Sequence, residues 1–336
     1  MLRKLVRASI LLLSVALGTP CTLQAEPINL YRYVLGVDVP ESPGVMVLAP
    51  GGSPVVHGSA PKPTTLTIFL ASESDRLVPG LAIDVAPYFF VGGGIRDLKS
   101  YRSNSVAGRL TRVLTKTTLT VAARGAQESG GPQGLAFGIR ATLHDPHDPV
   151  LNSALPESVA AVLARSGTPS PTAEVEDITD FGANVAPVFA AGRRAMRARR
   201  GMQISAGFGQ AYEMRGGSVS SDSLDADLRI LWLTSQITFN ARFDVIVTGQ
   251  IRDSSDEDTH MWLALGLLRK VNATDIQLAL YYDTDSRRIY PFLQTDIRIL
   301  PHFQVFGTCT VFQGSDDGSS VFSARTGFRW FLAHDP

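Results

Sequence analysis

The sequence predicts an all-β protein, a transmembrane antiparallel up-and-down β-barrel of about twelve strands. A partly helical insert is expected between the fourth and fifth strands. Three observations carry this. First, residues 236–252 read QITFNARFDVIVTGQIR, with Ile237, Phe239, Phe243, Val245, Val247 and Ile251 on one parity and Thr238, Asn240, Arg242, Asp244, Gln250 and Arg252 on the other. Successive strand side chains point to opposite faces, so this is a ribbon with one apolar and one polar side. Strands of soluble proteins usually run about 5–6 residues, much less than this. Second, the same alternation recurs in segment after segment. Third, beyond the N-terminus no stretch has the ~20 consecutive apolar residues that a spanning helix needs.

The elements follow in chain order. MLRKLVR carries Arg3, Lys4 and Arg7, the apolar run ASILLLSVALG follows, and TPCTLQA ends in Ala25 with Leu23 two residues before it. Basic, apolar and small-residue regions in that order predict a secretory signal peptide over residues 1–25. Its removal would also take Cys21 and leave Cys309 as the single cysteine, so no internal disulfide would hold the exported fold. Residues 26–63, rich in Pro, Gly and Val, are expected to be an irregular arm inside the lumen or beneath it.

The barrel is expected over residues 64–332. Its candidate strands are 65–72, 80–92, 109–124 and 135–145, then 202–209, 224–233, 236–252, 260–270, 274–284, 289–299, 302–313 and 320–332. Most approach the ~9–11 residues of a tilted membrane-crossing strand. Leu66, Ile68 and Leu70, then Leu81, Ile83 and Val85, then Leu119 and Val121, mark an apolar outer face. In the second half Met202, Ile204 and Phe208, then Leu228, Ile230 and Trp232, then Phe322, Phe328 and Trp330 do the same. From the sixth strand onward short links (LTSQ, KVNATD, LPHF) alternate with long polar ones (EMRGGSVSSDS, DSSDEDTH, DTDSRR, QGSDDGSS). Bacterial outer-membrane barrels show that asymmetry, with tight periplasmic turns and longer outside loops. Parity then puts both termini in the periplasm.

Residues 146–200 break the pattern. PESVAAVLARS and NVAPVFAAGRRAMRARR read as short helices joined by the proline-rich SGTPSPT, and the insert is expected to be periplasmic or lumenal.

The final segment, SARTGFRWFL, resembles the aromatic-rich last strand of Gram-negative outer-membrane β-barrels, and the resemblance extends over residues 64–332. It departs from that class by ending in Leu332 followed by Ala-His-Asp-Pro. The resemblance implies the outer membrane of a Gram-negative bacterium, with membrane lipid, lipopolysaccharide and the outer-membrane assembly machinery as partners. Lipid offers no hydrogen-bond partners, so a strand-built span must close on itself. A soluble sandwich shows the same alternation; export, strand length and an even strand count favour the membrane.

The polar parity is then the lumen, expected to be lined by Asp84, Arg112, Lys116, Arg140, Arg242, Asp244, Asp275, Asp296, Arg298, Arg325 and Arg329. Arginines lead in that set, which predicts a weak preference for anions. The chain of 336 residues balances 31 basic against 31 acidic side chains, and nothing in that balance points to nucleic acid. Trp232, Trp262, Trp330, Tyr281 and Tyr282 are candidates for the interfacial girdles.

Chemistry is sparse. LHDPHD (143–148) gathers His144, Asp145, His147 and Asp148, but has no adjacent serine for acyl transfer and no strong metal-ligand spacing. Gly92-Gly93-Gly94 does not precede a helix and is not a phosphate loop. No catalytic residue, metal or cofactor is assigned. The run of Arg193, Arg194, Arg197, Arg199 and Arg200 is a candidate anion or lipid contact. The function expected is a porin-like channel or transport component for small solutes. The alternatives are a plugged barrel that docks a periplasmic protein through 146–200, and a lipid-modifying outer-membrane enzyme.

Overall fold

The computed structural model describes residues 42–48, 64–73, 76–91, 98–125, 133–148, 151, 200–214, 224–240, 242–254, 259–271, 274–300, 303–313 and 320–332. The leader, most of the arm and most of the 146–200 insert lie outside them. The fold is a closed barrel of twelve antiparallel strands in sequential order, with β1 sealed against β12. The strands are β1 (Thr64–Glu73), β2 (Arg76–Val85), β3 (Thr117–Arg124), β4 (Gln133–His144), β5 (Gly201–Met214) and β6 (Leu224–Asn240). The other half is β7 (Phe243–Ser254), β8 (His260–Val271), β9 (Thr274–Asp283), β10 (Arg288–Leu300), β11 (Phe303–Gln313) and β12 (Ser320–Leu332). The described helices are α1 (Pro43–Leu48), α2 (Tyr88–Val91), α3 (Leu98–Arg102) and α4 (Val106–Thr115). The end where β1 starts and β12 finishes is called the base, and the other end the top.

Closure leaves no strand edge unpaired, as a lipid environment requires. The outer face is apolar around the cylinder: Leu70, Leu81, Val121, Ile139, Leu231, Leu265, Leu278, Leu293 and Phe322 are all exposed. Charges on this face sit near strand ends, with the Arg229–Asp253 pair at the top and Arg269 at the base. Soluble monomers rarely expose apolar surface on such a scale. The cylinder is a transmembrane barrel of the outer-membrane type, with acyl chains as the solvent of its outer wall.

Four expected elements differ from those observed. The second strand stops at Val85, because Pro87 brings no N–H to a ladder and the chain coils into α2, Phe90 N–H donating to the Pro87 carbonyl. The third begins only at Thr117. Residues 106–115 form α4, capped by Ser105, whose hydroxyl accepts from the Gly108 N–H. RLTRVLT satisfies a 3.6 period as well as a period of 2, and the cap decides. The 236–252 ribbon is parts of two strands: β6 runs through LTSQ to Asn240, and the chain reverses at Arg242. Asn240 Oδ1 accepts from the Arg242 and Phe243 N–H groups and fixes that turn. So tight a reversal keeps the inside/outside parity in phase, so the two strands read as one.

The fourth difference concerns facing. On β6, Ile230 and Trp232 point inward and Leu231 and Leu233 outward, the reverse of the expected assignment. The apolar interior that accepts them is built by α1.

Candidate functional site

The lumen is the only candidate site that the described residues build, and it has two unlike walls. Along β2 to β5 the inward positions are small: Ala82, Ala122, Ala136, Gly138, Gly209 and Ala211. Into this trough fits α1, whose Val45, Met46, Val47 and Leu48 are almost wholly buried. The fit depends on missing methyl groups. A Cβ on Gly209 would lie 2.8 Å from a Val47 methyl, one on Gly134 would lie 2.8 Å from a Leu48 methyl, and one on Gly44 would lie 2.7 Å from Ala122 Cβ. Trp232 covers Gly207 on the same side, and Arg124 donates to the Leu48 carbonyl at 3.0 Å. The 26–63 arm thus places at least its Ser42–Leu48 segment inside the barrel.

The facing wall, on β6 to β11, carries polar side chains at the base and in the middle, with Ile246, Leu268 and Phe306 buried among them. Thr234 and Thr248 share a hydrogen bond of 2.9 Å. Gln236 donates to Asp244 at 2.5 Å, and Lys270 reaches the same carboxylate at 2.7 Å. Gln294 donates to Asp296 at 2.6 Å, and Arg329 donates to its other oxygen at 2.8 Å while lying over the Phe306 ring. Across the seam Asp84 accepts from Thr120, and Arg140 donates to Thr118 at 3.4 Å. Among the described residues Gln250 and Gln277, both buried, have no protein hydrogen-bond partner for either amide atom, and one oxygen each of Gln236, Asp244 and Gln294 is in the same condition.

Toward the top the wall turns aromatic. Trp262 stacks on Tyr290 at 5.8 Å between centroids, Tyr281 meets Phe292 edge-on at 5.5 Å, and Arg252 lies 4.0 Å above the Trp262 ring. Trp232, Trp262 and Tyr281 are therefore interior residues and no part of a girdle. Trp330 and Tyr282 are on the outer face.

At the base, Lys116 bridges Asp145 at 2.9 Å and Asp148 at 2.6 Å, and Tyr101 donates to Asp148 at 2.6 Å. Burial lowers the lysine pKa, but the two carboxylates outweigh it and hold the group protonated, well above the usual lysine range. The acids of LHDPHD are thus committed to an ion pair that ties the β4–β5 connection to the start of β3. His144 is turned outward by a bulge between Thr142 and His144. Among the described residues no cluster has the make-up of a metal site.

The expected lumen residues divide as follows. Asp84, Arg140, Asp244, Asp275, Asp296, Arg325 and Arg329 are buried on the inner face. Lys116 is buried at the base in its ion pair. Arg112 is not in the lumen: it is on α4 and donates to the carbonyls of Tyr101 and Ser103, because its segment is helical. Arg242 is not there either: it is exposed in the β6–β7 turn, where the chain reverses instead of continuing. Arg298 stands opposite Gln304 on β10, and its side chain lies outside the described residues. So do Arg193, Arg194, Arg197 and Arg199, while Arg200 is exposed just before β5. The glutamines and the α1 trough carry the lumen's character, and neither was singled out from sequence. The glutamines lacked a charge to mark them, and PGVMVL is an unremarkable apolar run in a proline-rich stretch.

No protein family and no curated protein matches the sequence. Solved structures similar to it include the KdgM porin, at 8% identity and TM-score 0.42, covering 80% of this chain and 99% of that one. The NanC porin is similar at 8% identity and TM-score 0.39, covering 80% and 100%. The Acinetobacter baumannii outer membrane protein Omp33 is similar at 7% identity and TM-score 0.34, covering 82% and 100%.

Proposed function

We propose that the protein is a porin-like outer-membrane channel for small solutes, held closed by the lumenal α1 segment, and that its passage follows the β6–β11 wall. The observation that supports this reading is the unbonded amides. A buried polar group without a partner costs about 1–3 kcal/mol, and native structures hold few of them. Gln250 and Gln277 stand along one inner wall with Gln236, Gln294 and Asp244, each with at least one unbonded atom. Water or a polar solute on that wall would supply the partners that the protein does not.

Selectivity follows from the inner charges. With Arg112 and Arg242 outside the lumen, Arg140, Arg252, Lys270, Arg325 and Arg329 stand against Asp84, Asp244, Asp275, Asp283 and Asp296. The two signs balance in number, so the proposed weak anion preference rests on placement: Arg140 and Arg325 each lie near Arg329, and that cluster sets the local field of the pore. Planar-bilayer recordings of the purified protein test both points. Discrete conductance steps with a reversal potential shifted slightly toward that of the anion are expected. A cation-shifted reversal potential rejects the preference.

A second reading is favoured by the completeness of the α1 fit: a permanently closed barrel that docks a periplasmic protein. Silence in bilayers at every voltage, both for the whole chain and after α1 is displaced, would select it over the channel.

A further inference from the structure

α4 is amphipathic the wrong way round for a helix on a water-soluble surface. Gly108 and Thr115 are its buried positions, and Arg112 also faces the protein through its bonds to Tyr101 and Ser103. The opposite side carries Val106, Leu110 and Leu114, exposed by 84%, 56% and 44%. A helix against water turns its apolar stripe toward the core. Here the stripe turns away from it, as the apolar parity of the barrel strands does.

The position of α4 says what covers that stripe. Only Lys116 separates it from β3, whose Leu119 and Val121 are exposed on the outer wall. Thr142 donates to the Lys116 carbonyl, so the α4–β3 junction is level with the lower part of β4. The next β4 residue, Leu143, is exposed and apolar. On β5, Met202 lies nearer the base than Ile204, the partner of His144, and is exposed as well. The apolar outer surface of the neighbouring strands thus extends past the level at which α4 leaves the barrel. The α4 stripe ends at Leu114, just before Leu119 of that surface in the chain. Arg109, exposed beside the stripe, is the kind of cation that a helix at a headgroup boundary carries.

We infer that α4 is an interfacial helix whose Val106–Leu110–Leu114 stripe is embedded in the phospholipid leaflet at the base of the barrel. The inference rests on the barrel being in lipid and adds a second kind of membrane contact, parallel to the surface. It would anchor the base of β3 and, through the Lys116 ion pair, the β4–β5 connection.

The test places an environment-sensitive fluorophore at single cysteines in the full chain, with Cys21 and Cys309 replaced by serine. L110C and L114C report on α4, L265C on the outer wall and R287C on the exposed top turn. The protein is reconstituted in phosphatidylglycerol–phosphatidylethanolamine vesicles whose acyl chains carry bromine at a shallow or, in a second set, at a deep position, and aqueous iodide is the opposing quencher. The two α4 probes should lose fluorescence to the shallow bromolipid, as the Leu265 probe does to the deep one, and resist iodide, the reverse of the Arg287 probe. Quenching of the α4 probes by iodide alone would overturn the inference, and so would shielding from both, which means another part of the chain covers the stripe. Failure of the Leu265 probe to meet bromolipid would instead overturn the membrane reading itself.

Discussion

Gly138 on β4 lies directly under Pro43 of α1, so closely that a Cβ on the glycine would stand 2.4 Å from the proline's own Cβ. Nothing but hydrogen fits between helix and wall there. Gly138→Leu, or Gly209→Leu against Val47, should expel α1, since overpacking of this kind typically costs about 1–3 kcal/mol. The strands themselves do not need α1 for their hydrogen bonds. Either variant should keep barrel mobility on semi-native gels, expose the arm to protease and raise conductance in bilayers. A released arm with unchanged conductance would show that α1 is not what closes the lumen.

Lys116 neutralises two buried carboxylates, and removing one partner of such a set strands the others. Lys116→Met should destabilise the fold by about 3–5 kcal/mol, read as a lower urea midpoint in detergent. Asp148→Asn should cost less, because Asp145 still holds the lysine.

The same pair predicts a pH dependence. The folded-state pKa of Lys116 lies above the unfolded value of 10.5, so its contribution is complete below that value and declines as the pH rises beyond it. The wild type should lose stability above about pH 10.5 more steeply than Lys116→Met. Equal slopes would mean that the lysine is not held protonated.

Leu265 stands on the outer face of β8 between Val247 and Leu280, near mid-strand. Leu265→Arg should destabilise the barrel in phospholipid by about 2–4 kcal/mol, the cost of a charge at the bilayer midplane. On a soluble barrel the same change would be neutral, so a negligible effect on the folding equilibrium in vesicles contradicts the membrane assignment.

Most of the wall was legible because lipid is an unforgiving solvent. Leu66, Ile68 and Leu70, or Phe322 and Trp330, recur at period 2 since every second residue must meet acyl chains, and Arg325 and Arg329 fall between them for the same reason. The failures have one cause each. Val106–Thr115 satisfies two periods, and only the Ser105 cap selects the helix. Asn240 reverses the chain without shifting the parity. Trp232 faces inward because α1, sixteen positions before the barrel begins at Thr64, fills the lumen with hydrocarbon. That contact joins residues far apart in the chain and leaves no periodic trace. The unbonded glutamines were equally hidden, since an amide on the polar parity looks the same whether or not it finds a partner.

Those glutamines give the sharpest test of the channel. Both amide atoms of Gln277 are buried with no protein hydrogen-bond partner among the described residues, and Gln250 is in the same position on β7. Replacing either with leucine, close to it in volume, removes the unmet polar atoms. Gln277→Leu and Gln250→Leu should therefore leave stability unchanged or raise it by about 1–3 kcal/mol, where most buried polar substitutions lower it. If the passage follows this wall, the same variants replace its water-binding groups by hydrocarbon and make the open state less favourable. Open probability in bilayers should fall in each and fall further in the pair, and the same holds when α1 is displaced by Gly209→Leu. Higher stability with lower open probability is the signature of a wall whose polar groups are satisfied only when solvent enters. Lower stability with unchanged conductance would show that these amides are bonded in the native barrel and that solutes pass elsewhere.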